Sequence, residues 1–151
     1  MTQLTSIQLP SGGNPQPNLL TAGQPSPADL EALAAAGLKH IVNLRPASED
    51  AGFDEAALAA KLGLSYRVIP VAGPGDLNLQ RTQALDAALA EVGDEPVLVH
   101  CASSNRVGAL LALRASWLQN QTADQALELG RAGGLTKMEP AVAQLLQNKP
   151  A

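Results

Sequence analysis

The 151 residues contain one cysteine, and an arginine follows it five positions later in His100-Cys101-Ala102-Ser103-Ser104-Asn105-Arg106. A thiolate is a strong nucleophile, and a guanidinium keeps its charge at any working pH while its planar fork holds two oxygens of a tetrahedral oxyanion. The four residues between them are small or polar, suited to a tight loop whose backbone N–H groups curl toward an anion. A helix starting near Arg106 would add its N-terminal dipole, and both effects stabilise a thiolate at Cys101. Nucleophile and anion receptor therefore coincide on one short segment. A lone cysteine also excludes an internal disulfide, an internal resolving thiol and a CxxC zinc site, and His40 and His100 are too isolated to make a metal site. No metal and no cofactor are expected.

The segment needs elements to hold it. Val97-Leu98-Val99-His100 is an apolar run of the kind that forms a strand covered on both faces, and the pattern from Arg106 to Leu118 is helical. Upstream, Leu19 to Ala22 reads as a short strand. Ser26-Pro27-Ala28-Asp29 combines an N-cap, a first-turn proline and an acid, opening a helix that stops at Gly37. His40 to Leu44 reads as a strand, Phe53 to Leu62 as a helix stopped by Gly63, Leu64 to Ile69 as a strand, and Leu79 to Val92 as an amphipathic helix. Thr122 caps a helix running to about Arg131, and Thr136-x-x-Glu139 predicts a capping box for a last helix toward Leu146. Residues 1–18 form an irregular lead-in to a single domain over 19–151. The alternation specifies an α/β fold, a mostly parallel sheet of four to five strands flanked by helices, with ligands at the carboxyl ends of the strands.

Composition narrows the partners. With 46% hydrophobic and 16% charged residues the chain fits one globular domain. Phe53, Tyr66 and Trp117 are the whole aromatic supply, so the core is built from Leu, Val, Ile and Ala, and base-stacking platforms are excluded. A net charge of −4 gives no general attraction for nucleic acid or an anionic membrane. No apolar run reaches membrane-spanning length, and the first ten residues lack the basic start of a secretion signal. A cytoplasmic location is the expectation. Gly-x-Ser-x-Gly, dinucleotide and Walker signatures are absent.

The His-Cys-x4-Arg loop resembles that of the cysteine-dependent protein tyrosine and dual-specificity phosphatases. Together with Ala22-Gly23-Gln24-Pro25-Ser26, Ile41-Val42-Asn43-Leu44-Arg45 and Ile69-Pro70-Val71, it is similar to the bacterial tyrosine-phosphatase-like family, also called beta-lactamase hydrolase-like, over residues 18 to 120. The resemblance implies that Cys101 forms a cysteinyl-phosphate, that Arg106 binds the phosphoryl group, and that Ala102, Ser103, Ser104 and Asn105 complete the cradle. It implies support of the thiolate by His100. It also implies an aspartate on the loop after a neighbouring strand as general acid, for which Asp76 is the candidate. The partner would be a phosphorylated substrate or another small oxyanion.

The chain departs from the pattern in three places. Four residues, not five, separate Cys101 from Arg106, the spacing found in rhodanese-type sulfurtransferases. Val107 replaces the usual hydroxyl residue, and Ala72 stands where this subfamily often has its acid. A persulfide-carrying sulfurtransferase and an anion-binding module with little turnover are therefore alternatives to a phosphatase. Simpler roles exist for single residues too: a hydrogen-bonded core histidine at His100, a turn acid at Asp76, and a strand–loop junction held by Asn43 and Arg45, which could otherwise face the anion.

Overall fold

Val97, Leu98, Val99 and His100 are all buried, as a strand in the middle of a doubly covered sheet must be. The computed structural model, which describes residues 3–148, builds a five-stranded sheet from β1 (Gly13–Gln16), β2 (Leu19–Ala22), β3 (His40–Asn43), β4 (Ser65–Val68) and β5 (Val97–His100). The spatial order is β1-β2-β5-β3-β4. All neighbours run parallel except β1, which pairs antiparallel with β2 at the edge.

Strand β1 corrects the expectation of a wholly irregular segment before residue 19. Its Pro15 lacks an N–H and disfavours a central strand, which obscured the signal, but an edge strand tolerates it. Asn14 stabilises the reversal into β2 by donating from Nδ2 to the carbonyls of Gln16 (2.7 Å) and Leu19 (2.8 Å).

Six helices flank the sheet among the described residues: α1 (Pro27–Ala35), α2 (Glu55–Lys61), α3 (Leu79–Val92), α4 (Asn105–Trp117), α5 (Ala123–Ala132) and α6 (Glu139–Leu146). Alternation along β5 sorts its side chains between two cores. Val97, Val99 and Cys101 join the apolar cluster built with α3 to α6, whereas Leu98 packs with Leu30 and Leu33 of α1 and Ala59 of α2. None of the helices is long and apolar enough to cross a membrane.

The opening of α1 is as its sequence specifies: Ser26 Oγ accepts from Asp29 N–H and the Asp29 carboxylate accepts from Ser26 N–H. The corresponding reading at Thr136 is overturned. Helix α6 has Met138 as its N-cap with no side-chain cap, because Thr136 bonds Asn105 and Glu139 pairs with Arg131.

Helix α4 carries the residues after the cysteine loop and is buried from Val107 through Leu113. Its closest neighbour is α5. A Cβ on Gly108 would lie 2.3 Å from the Leu135 nitrogen and 2.4 Å from the Gly130 carbonyl oxygen. Both are backbone atoms that cannot rotate away, so the helices meet here only because residue 108 has no side chain. Gly108→Ala should therefore destabilise the domain by about 2 kcal/mol or more, read as a lowered melting temperature; an unchanged transition would refute this packing.

Candidate active site

The parallel registers bring Ala22, His100 and Asn43 level at the carboxyl ends of β2, β5 and β3. The ladder continues one step further: Cys101 N–H donates to the Ala22 carbonyl (3.2 Å), and Leu44 N–H donates to the His100 carbonyl (2.8 Å). Cys101 is thus fixed where the central strand ends, and its side chain is buried. The Ala102 carbonyl then accepts from Gln24 N–H at 3.1 Å, and Ser104 turns the chain into α4 from a left-handed conformation with φ of 70°. Among the described residues, the N–H groups of Ala102, Ser103, Asn105, Arg106 and Val107 donate to no protein acceptor. Five such donors beside a helix N-terminus could receive an anion.

The turn is braced from behind by the α5–α6 connection. Ser104 Oγ donates to the Gly133 carbonyl at 2.7 Å, and Asn105 Oδ1 accepts from Thr136 N–H (2.9 Å), Thr136 Oγ1 (3.3 Å) and Met138 N–H (3.2 Å). Gly134 has φ of 111°, and a Cβ there would lie 2.4 Å from the Ser104 side chain. The side chains of Ser104 and Asn105 thus shape the loop. What these residues can offer an anion is backbone.

Arg106 is held by a carboxylate that the sequence did not single out. Its Nη1 and Nη2 donate to Glu49 Oε2 (2.7 Å) and Oε1 (2.9 Å), and Nη1 also donates to the Val71 carbonyl (2.7 Å). A guanidinium has five N–H donors. Three are engaged, which leaves Nε–H and one Nη2–H, a fork of two donors.

Arg45 braces the same carboxylate. Its Nε donates to Glu49 Oε1 (3.1 Å), Nη1 to Gln24 Oε1 (2.5 Å) and Nη2 to the Asp50 carbonyl (3.0 Å). The hydrogen bond from Arg106, reinforced by Arg45, holds the Glu49 carboxyl below its usual range against the opposing effect of burial. Arg106 is correspondingly pushed further up, first by Glu49, with the nearby Cys101 sulfur contributing. The structure thus gives Arg45 the junction role, alongside Asn43, whose Oδ1 accepts from Arg45 N–H at 2.9 Å.

His100 is fully buried between two acceptors, the Cys101 carbonyl at Nδ1 (3.3 Å) and Glu55 Oε2 at Nε2 (2.5 Å). Asp76 lies in a short 3-10 turn, Pro74–Asp76, where Oδ2 accepts from Ala72 N–H (2.9 Å) and Oδ1 lies 3.6 Å from Arg81. Those contacts give it a turn-forming role in this conformation. Its loop nevertheless starts at the site, because Val71 binds Arg106. Val107 is buried in the core on α4.

Two residues escaped the sequence reading, Glu49 and Glu55, while Gln24 stood in the quoted Ala22–Ser26 segment without a role. Glu49 looks like an ordinary loop acid and Glu55 like a solvated first-turn acid of α2. The sequence signal for the two glutamates is a run of four acids, Glu49, Asp50, Asp54 and Glu55, within ten residues of Arg45 on a chain otherwise poor in charge. The aromatics are a second surprise. Phe53 precedes α2 instead of belonging to it, and with Tyr66 it lines a cavity of about 380 Å³ that also touches Arg45 and Glu49.

Comparison with known proteins adds to this geometry. Residues 15–117 match the family described as beta-lactamase hydrolase-like protein, phosphatase-like domain. A beta-lactamase hydrolase-like protein of Agrobacterium fabrum is 36% identical over 99 residues, which cover 63% of this chain and 22% of that protein. The chain thus spans under a quarter of that relative's length. Among solved structures, a candidate phosphatase (DUF442) from Shewanella putrefaciens CN-32 superposes with a TM-score of 0.71 at 26% identity, covering 97% of this chain and 94% of that one. TpbA of Pseudomonas aeruginosa, in complex with phosphotyrosine, shares the fold with a TM-score of 0.62 at 19% identity, covering 89% and 81% of the two chains.

The lowered Glu49 value has a thermodynamic consequence. A carboxylate held down in the folded state contributes stability that is complete above its unfolded value, near 4.5, and is lost as the pH falls through the lower folded value. Glu49→Gln should cost roughly 1–2 kcal/mol at neutral pH. In urea melts the gap to wild type should close below pH 4.5. A gap independent of pH would show that the ion pair is not its source.

Proposed function

Because the chain belongs to the phosphatase-like domain family of the beta-lactamase hydrolase-like proteins, we propose that it is a cysteine-dependent phosphatase of phosphomonoesters, carried by a phosphoprotein or a small molecule. The reading is carried by one observation. Cys101, five N–H groups without protein acceptors and an arginine with two donors left lie on a single loop at the end of the central strand.

In the proposed reaction the phosphoryl oxygens take the N–H groups of Ala102, Ser103, Asn105 and Arg106 and the remaining fork of Arg106. These donors stabilise the charge of the transferring group. The Cys101 thiolate attacks phosphorus, the bond to the ester oxygen breaks, and the leaving oxygen takes a proton. Water then attacks the cysteinyl-phosphate, releasing phosphate and the thiolate. Asp76 is the proposed proton donor, and reaching the leaving group requires its carboxylate to leave Ala72 N–H. A complete charge clamp before substrate arrives means that Arg106 needs no reorientation on binding.

Val107 supplies no hydroxyl to help expel the thiolate, so hydrolysis of the cysteinyl-phosphate is the slow step. A phosphorylated side chain fits the fold, in which TpbA holds phosphotyrosine. A leaving group that extended into the cavity beside Arg45 would meet Phe53 and Tyr66. The proposed location is the cytoplasm, where the lone thiol stays reduced.

The test is phosphate release from aryl phosphates of graded leaving-group basicity by wild type, Cys101→Ser and Asp76→Asn. Release should vanish in Cys101→Ser, and in Asp76→Asn kcat/KM, which does not include the slow hydrolysis of the cysteinyl-phosphate, should fall at least ~10²-fold for the most basic leaving groups and much less for the best ones. Release that survives Cys101→Ser would overturn the reading. Cys101-dependent thiocyanate formation from thiosulfate and cyanide, without phosphate release, would replace it with sulfur transfer. An equal effect of Asp76→Asn on kcat/KM for all esters would remove Asp76 as the proton donor to the leaving group.

A further inference from the structure

Glu55 is a carboxylate with only 5% exposure, and nothing in the proposed reaction uses it. It sits inside a continuous polar chain. Oε2 meets His100 Nε2 at 2.5 Å, while Oε1 accepts from Gln24 Nε2 at 2.8 Å. Gln24 Oε1 in turn accepts from Arg45 Nη1 at 2.5 Å, and Arg45 and Arg106 share Glu49. The chain runs from the peptide of Cys101 to the guanidinium of Arg106.

Donor accounting at His100 sets its protons. The Cys101 carbonyl can only accept, so Nδ1 carries a hydrogen. One further proton then lies between Nε2 and Oε2. The second hydrogen bond at Oε1, from the Gln24 amide, stabilises the ionised carboxylate and so favours that proton on the ring. The other charged or titratable groups around this chain are Arg106 from α4, Arg45 and Glu49 from the loop after β3, and Tyr66 from β4 and Asp54 before α2, which share a cavity lining with Glu55, while Asp76 faces Ala72 N–H and Arg81.

We propose that Glu55 is a positioning residue, a buried anion that keeps His100 protonated on both ring nitrogens behind the Cys101 peptide and links that peptide through Gln24 and Arg45 to the Arg106 clamp. The purpose assigned to it rests on the reading of Cys101 as the nucleophile. A cationic ring next to that peptide favours thiolate over thiol, and removing the anion that keeps it cationic reverses the preference.

The single cysteine makes the test direct, because the ultraviolet absorbance of a thiolate followed against pH, with Cys101→Ser subtracted, reports one sulfur only. Glu55→Gln can maintain both hydrogen bonds and the neutrality of the pair but leaves the ring with one proton. It should move the thiolate titration upward by about one pH unit. Glu55→Asp should restore most of the wild-type midpoint, His100→Gln should move it upward at least as far as Glu55→Gln because it also leaves the Glu55 carboxylate without its cation, and the double variant should be shifted no further than His100→Gln. A Glu55→Gln midpoint equal to wild type in a protein that melts normally would overturn the proposal, as would shifts that add in the double variant. If Glu55→Gln does not fold, His100→Gln decides by the same criterion. No turnover is involved, so phosphate release surviving Cys101→Ser would remove the phosphatase reading and leave this result standing.

Discussion

A guanidinium in the first turn of a helix opposes the helix dipole, and Arg106 also loses solvent there, with a side chain only 12% exposed. The bidentate pair with Glu49 offsets both costs. It also decides the chemistry of the site, since it engages the Nη1 and Nη2 ends of the fork and leaves Nε–H with one Nη2–H. Had the same carboxylate taken the Nε edge, two adjacent donors would not remain on that side. The pair works because Arg45 shares the carboxylate and the Val71 carbonyl takes the third donor. The loops after β3 and β4 are thereby tied to a helix that follows β5.

Two further supports meet at the same loop. The connection between α5 and α6 grips it through Ser104 and Asn105, and the close approach of α4 to α5 at Gly108 brings that connection within reach. On the opposite sheet face, His100 and Glu55 hold the peptide of Cys101. The loop of four residues between Cys101 and Arg106 is therefore fixed from three directions, the rigidity that the proposed phosphoryl transfer would need.

Much of this was legible in the sequence where local physics decides. The Ser26 cap, the helix from Leu79 to Val92 and the strand from Val97 to His100 follow from periodicity, caps and apolar runs that no tertiary contact opposes. The Cys101 loop was legible because a thiol, small polar residues and an arginine in one short segment suit few other purposes. The errors lie where distant partners decide. Thr136 looks like a cap, yet Asn105, 31 residues away, takes its bonds. Glu49 and Glu55 carry no local sign of burial, because their partners Arg106 and His100 lie 57 and 45 residues along the chain. Strand β1 was missed because a proline argues against a strand until its edge position is known.

The proposal turns on the Cys101 sulfur as the atom that takes the phosphoryl group, in an intermediate proposed to break down slowly for want of a hydroxyl at Val107. Mass spectrometry of the Cys101 peptide, after wild type is mixed with an aryl phosphate and quenched in acid, tests this most directly. The account predicts a phosphoryl adduct on Cys101 that forms within the first turnover and decays no faster than steady-state phosphate release. Phosphate release with Cys101 unmodified at every time point would contradict it.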